Sequence, residues 1–145
     1  MEGLTDQEHR QIEDELNAAI DQLIEGCTAM NMESAFAMFS DAPGFLMMGT
    51  DGTLCDFQTY LKNNIDYFAG CESFRLETFK REIRVVNSGA AVFSWAYGVE
   101  AKLITGESDV IRNAGASFVF HKIRNEWKVV YYHESSTPPQ RIGTP

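Results

Sequence analysis

No stretch of this sequence concentrates positive charge. The densest basic run, Lys80-Arg81-Glu82-Ile83-Arg84, is broken by an acid and an aliphatic, and the whole chain carries a formal charge of −9. Affinity for phosphate backbones comes largely from clustered Lys and Arg, so no nucleic-acid partner is expected. Anionic membrane surfaces are disfavoured on the same ground. No apolar run approaches the ~20 residues a membrane-spanning helix needs. The opening Met-Glu-Gly-Leu-Thr-Asp-Gln-Glu is acidic and has no apolar segment. No secretory signal is therefore expected, and the expected location is cytoplasmic. Cysteine is scarce: Cys27, Cys55 and Cys71 are odd in number and lack metal-ligand spacing, so they read as reduced core residues, with no metal site. No Gly-rich phosphate loop appears; Gly49-Thr50-Asp51-Gly52 is too short for one and reads as a turn. Neither NAD nor ATP, nor any other cofactor, is expected.

What is present is an ordinary globular balance with many rings. The 145 residues suit one domain, 1–145, and the ten Phe, five Tyr and two Trp suggest a core or cavity built from aromatics. Residues 138–145 read as a loose tail. Thr5-Asp6-Gln7-Glu8 is a capping-box pattern. Behind it Ile12, Leu16, Ala19, Ile20, Leu23 and Cys27 recur at helical spacing, so a long amphipathic helix is predicted, with Gly26 weakening its last turn. A shorter helix around residues 32–39 buries Phe36 and Phe39 and is stopped by Asp41-Ala42-Pro43-Gly44. Phe45 to Met48 reads as a short strand. Asp56 can cap a third helix, whose apolar set is Phe57, Tyr60, Leu61, Ile65 and Phe68.

From Ser73 the periodicity switches towards two. Strands are predicted at about 73–86, 90–104, 108–123 and 127–136, joined by short turns. The apolar set in the first of these moves from Phe74 and Leu76 to Phe79, Ile83 and Val85, which predicts a bulge near Thr78–Lys80. Helices with one apolar stripe each must bury it. The expected fold is therefore α+β: a strongly curved antiparallel sheet wrapped around N-terminal helices, with a cavity at its open end.

Trp127-Lys128-Val129-Val130-Tyr131-Tyr132-His133-Glu134-Ser135-Ser136 resembles the last strand of SnoaL-like proteins of the nuclear-transport-factor-2-like superfamily. It is especially similar to the branch holding the association domain of calcium/calmodulin-dependent protein kinase II, and Phe45 to Gly52 resembles that branch's first strand and turn. The resemblance implies a conical fold, a pocket between the sheet and the helices, and a homodimer formed by sheet faces. In the association domain the residues matching Glu134, Tyr97 and Tyr60 are basic pocket residues. This sequence departs at all three, which points away from an anionic ligand and towards a neutral or cationic one.

Alternation places Tyr132 and Glu134 on one face of the last strand and Val129, Tyr131, His133 and Ser135 on the other. On that register Trp95, Tyr97, Phe118, Phe120, Tyr132 and Glu134 point inward, joined by Tyr60 and Phe68 from the third helix. Rings with one carboxylate make a small-molecule site for an apolar or polycyclic ligand. The alternative is that the rings are plain core and Glu134 a solvated rim residue. A catalytic version makes Glu134 the acid–base group of an isomerase, cyclase or dehydratase, with Tyr97 or Tyr60 as donor. Ketosteroid isomerase, on a related fold, pairs aspartates with a tyrosine, and no Asp stands in that register here. His133 is the alternative catalyst, although its parity suits a structural or interface role. Two non-enzymatic readings stand beside these: a dimeric assembly module, and a partner-binding adaptor, which would need a large exposed apolar patch.

Overall fold

A computed structural model describes residues 3–39 and 41–143. The first helix, α1 (Asp6–Thr28), starts on the capping box: Thr5 accepts from the Glu8 amide, and the Glu8 carboxylate accepts from the Thr5 amide at 2.7 Å. Its stripe of Ile12, Leu16, Ile20, Leu23 and Cys27 is buried. Gly26 has a packing role at the end of this helix. A Cβ there would stand 2.5 Å from the Ala35 nitrogen, so its absence lets the short α2 (Met32–Ala35) lie directly on α1. Non-helical turns continue α2 towards Phe39, which is wholly buried.

Two short strands follow, β1 (Leu46–Met48) and β2 (Leu54–Cys55), then α3 (Phe57–Ala69), capped by the Asp56 side chain on the Thr59 amide. Four long strands complete most of the chain: β3 (Cys71–Asn87), β4 (Ala90–Leu103), β5 (Ser108–Ile123) and β6 (Glu126–Ser136). They pair as an antiparallel meander in the order β6-β5-β4-β3. The sheet is curved and unclosed, and the helices lie against its inner face. The expected bulge is present: Thr78 pairs with Tyr97 and Lys80 with Ala96, leaving Phe79 as the extra residue. Phe79 is half exposed and lies over Gly98.

The structure corrects four expectations. The sheet is mixed, because β1 runs parallel to β6. Within the expected tail, of which residues 144–145 lie outside the described residues, β7 (Gln140–Ile142) pairs with the start of β5, and the Arg141 guanidinium donates twice to Asp109, at 2.6 and 3.1 Å. Val129 is buried on the inner face. The register shifts between Val119↔Tyr131 and Phe120↔Val129, so Val130 is an extra residue and the alternation restarts across it. Finally, Ile65 is exposed. Asn64 and Tyr67, rather than Ile65, line the cavity from α3 beside Tyr60 and Phe68.

Candidate functional site

The cavity between helices and sheet has a volume of about 240 Å³. Each wall comes from a different element. Leu23 and Cys27 descend from α1, Tyr60, Asn64 and Tyr67 from α3, Trp95 and Tyr97 from β4, and Tyr132 and Glu134 from β6. Helical spacing brings Tyr60, Asn64 and Tyr67 to one side of α3, while the two-residue period brings Trp95 with Tyr97 and Tyr132 with Glu134.

The rings hold one another in place. Trp95 and Tyr97 are stacked, with centroids 3.9 Å apart and planes at 20°. The Trp95 indole N–H donates to Thr78 Oγ1 at 3.0 Å, which ties the stack to the bulge in β3. Tyr60 meets Tyr132 at 5.6 Å and Phe36 edge-on at 5.1 Å. Such tilted and edge-on pairs are the arrangements aromatic quadrupoles favour.

Glu134 is the polar centre of this site. Tyr132 donates to its Oε1 at 2.7 Å and Tyr60 donates to the same oxygen at 3.4 Å. No donor among the described residues reaches Oε2. Burial pushes the carboxyl above its ordinary range, and the hydrogen bonds from Tyr132 and Tyr60 oppose that rise. Burial and the neighbouring Glu134 charge likewise raise the phenols of Tyr60, Tyr97 and Tyr132, so all three stay protonated donors. The Cys27 thiol is pushed up to about 12, first by burial and then by Glu134, so it is a thiol and not a nucleophilic thiolate. At the cavity's edge Tyr67 donates to Asp109 at 2.8 Å. The Arg141 hydrogen bonds hold that carboxyl below its usual range.

Of the residues singled out from sequence, Tyr60, Phe68, Trp95, Tyr97, Tyr132 and Glu134 line one cavity. Phe118 and Phe120 do not. Both are fully buried in the core, stacked on each other at 6.0 Å behind the cavity wall. The phenols bonded to Glu134 are Tyr132 and Tyr60, whereas Tyr97 lines the cavity beside them. His133 is exposed on the outer face, in a shallow depression with Ser94, Ala96, Ser117 and Ser135. Phe36, Asn64, Tyr67 and Phe74 were not anticipated as lining residues. Asn64 and Tyr67 were findable, standing four and seven residues after Tyr60. Phe36 faces the cavity only because α2 packs so closely on α1.

Residues 16–139 match the model of the SnoaL-like domain, and the chain belongs to that family. No curated protein matches it. Among solved structures it is similar to a candidate scytalone dehydratase from Novosphingobium aromaticivorans, with a TM-score of 0.82 at 8% identity over 97% of this chain and 94% of that one. It is also similar to a hexachlorocyclohexane dehydrochlorinase from Novosphingobium barchaimii, with a TM-score of 0.78 at 8% identity over 95% and 94%. A nuclear-transport-factor-2-like protein from Salmonella enterica gives 0.77 at 16% identity over 90% and 94%. These likenesses show the cone fold of that superfamily. No described helix is long and apolar enough to cross a membrane.

Proposed function

We propose that this SnoaL-like domain binds a small, mostly apolar organic molecule in the cavity and fixes it through Glu134. The observation that carries this reading is one half-buried carboxylate with a free oxygen in a ring-lined cavity. Ligand sites combine apolar walls with a few polar groups that set orientation, and this cavity has that make-up at about 240 Å³, just below the usual range of ~300–1,000 Å³. The raised carboxyl favours a second reading, proton transfer, in which Glu134 takes a proton and Tyr97 donates to the developing oxyanion. The structural neighbours named for a dehydratase and a dehydrochlorinase agree with acid–base chemistry on this fold.

A thermal-shift screen of one- and two-ring compounds tests the binding reading. Compounds that bind should raise the melting temperature of the natural chain and lose that effect in Val99→Phe, which narrows the cavity. Hits that keep their effect in this variant would place the ligand elsewhere. Solvent-deuterium exchange into a hit, followed by NMR, separates the two readings. Proton transfer requires exchange that Glu134→Gln abolishes, and binding alone gives none.

The outer face supports a further proposal, a homodimer through the sheet. Ser94, Ala96, Ser117 and Ser135 are small and exposed there, and would let a second sheet approach closely. The same arrangement would fit the kinase-association branch, which the pattern of the last strand favours within the family.

A further inference from the structure

Among the described residues, nothing that lines the cavity carries a positive charge. The described lining includes no Lys, Arg or His, and Glu134 is the one formally charged residue in it. A carboxylate taken partly out of water normally acquires a cationic partner or enough donors to replace its hydration. Here the two phenols both serve Oε1, Oε2 receives no hydrogen bond from a described residue, and Glu134 lines the cavity. The walls beside it are rings, with the Trp95–Tyr97 stack on β4 and the Phe68–Phe74 pair 4.5 Å apart. Aromatic faces attract cations through their quadrupoles, Trp most strongly. The chain's formal charge of −9 adds a long-range field of the same preference.

We propose that the ligand of this cavity is an organic ammonium ion, an amine or quaternary ammonium on a small apolar body, whose positive centre lies among Trp95, Tyr97 and Tyr60 and pairs with Oε2 of Glu134. The inference rests on the reading of the cavity as a ligand site and names the ligand's charge. Rings and carboxylate then act together: the rings exclude water and solvate the cation, and the carboxylate acquires the counter-charge that the chain itself withholds. An anionic ligand would meet Glu134 with no compensating cation. A neutral one would leave Oε2 unpaired unless it carried a donor.

The titratable groups that interact with Glu134 are Tyr60 from α3, Tyr97 from β4, Tyr132 on its own strand, Cys27 from α1 and Cys55 from β2, with His133 one residue away on the opposite face. Of these, Glu134 is the group whose ionised form puts a charge on the cavity, and burial raises its carboxyl above the ordinary range. Affinity for a cation should therefore fall as Glu134 takes up its proton, and Glu134→Gln should remove that fall.

The test compares benzyltrimethylammonium with its uncharged carbon isostere, neopentylbenzene, by ligand-observed NMR on the full chain. The cation should bind about tenfold more tightly than the isostere, the size expected for a desolvated cation among rings beside a carboxylate. In Glu134→Gln the preference should drop to about threefold or less, while the isostere binds as before, which also reports that the cavity is intact. Equal binding of the two probes to the natural chain would overturn the proposal, as would a preference that Glu134→Gln leaves undiminished. If neither probe binds although other uncharged ring compounds do, the ammonium proposal fails and the ligand site stands. If no ring compound binds at all, both fail.

Discussion

Gly26→Ala is a sharp test of how the helices are set above the cavity. In an isolated helix this change stabilises by about 0.8–1.0 kcal/mol, because Gly spends more backbone entropy. In this fold the new methyl would stand 2.5, 2.6 and 2.8 Å from the nitrogen, Cα and Cβ of Ala35. Carbon contacts relax at about 3.5–4.0 Å, so α1 and α2 must separate by roughly 1 Å. The obstacle is backbone and cannot rotate away, so the overpacking cost falls near the upper end of its ~1–3 kcal/mol range. Subtracting the helix gain leaves a net loss of about 2 kcal/mol, or roughly 4–8 °C in melting temperature for a chain of this size. The displacement carries Phe36 with it, and Phe36 lines the cavity and meets Tyr60 edge-on, so ligand affinity should fall too. Urea denaturation of the natural chain, Gly26→Ala and the exposed control Ala18→Gly measures this. The control should lose about 1 kcal/mol through propensity alone. A Gly26→Ala chain as stable as the natural one, or more so, would refute the close-packing account.

Two further outcomes follow from the site and the outer face. Because burial raises the folded Glu134 carboxyl, the unfolded chain ionises first as pH rises, and stability is lost from the ordinary carboxyl range up to the raised value. Glu134→Gln should therefore match the natural chain at low pH and exceed it at neutral pH, by about 1.4 kcal/mol for each unit of the rise. Denaturation at a series of pH values reads this, and a Gln variant less stable only at neutral pH would show that Glu134 is better solvated than its surroundings indicate. If the outer faces of two sheets associate, Ala96→Arg should convert a dimer to a monomer in light scattering without lowering helix or sheet content. A natural chain that is monomeric at micromolar concentration removes that proposal.

Parts of this molecule were legible in the sequence because single local rules decided them. Thr5 and Glu8 make a capping box with no help from the rest of the chain, and the change of apolar parity around Thr78 can only be accommodated by an inserted residue. The inward direction of Trp95, Tyr97, Tyr132 and Glu134 follows from alternation within uninterrupted stretches of strand. Legibility failed where two elements decided the outcome together. Unbroken alternation through Val130 points Val129 outward; the bulge there lets the Val129 amide donate to the Met38 carbonyl at 3.1 Å, a bond that depends on where the chain after α2 runs. β7 has three residues after Pro138-Pro139, too few for a periodic signal, and it is ordered by pairing with β5 and by Arg141 on Asp109. Phe118 and Phe120 do face inward, as alternation requires, but facing inward does not decide between core and cavity wall. That depends on which rings from the helices lie over them, and Phe39 covers Phe118 at 6.3 Å.

The Tyr60–Tyr132–Glu134 group is best understood as one unit, and this governs how its role can be measured. Replacing Glu134 by Leu would relieve a desolvated charge, yet it would also strip the hydrogen-bond acceptor from two buried phenols. Each orphaned hydroxyl costs about 1–3 kcal/mol, comparable to the relief, so the sign of that variant's stability change says little about charge. Gln keeps an acceptor oxygen for Tyr132 and removes only the charge. Phe at 60 or 132 removes one donor and leaves the carboxylate less solvated, which should raise the carboxyl further. The single variants are therefore not additive. The coupling between Tyr132→Phe and Glu134→Gln, read from a double-mutant cycle, should approach the difference between a charge-assisted and a neutral hydrogen bond, about 1–1.5 kcal/mol, at a pH where Glu134 is ionised. It should shrink at a pH where Glu134 is protonated. A coupling that ignores pH would mean that Tyr132 and Glu134 meet only as packed side chains, and the carboxylate would lose its standing as the charged centre of the cavity.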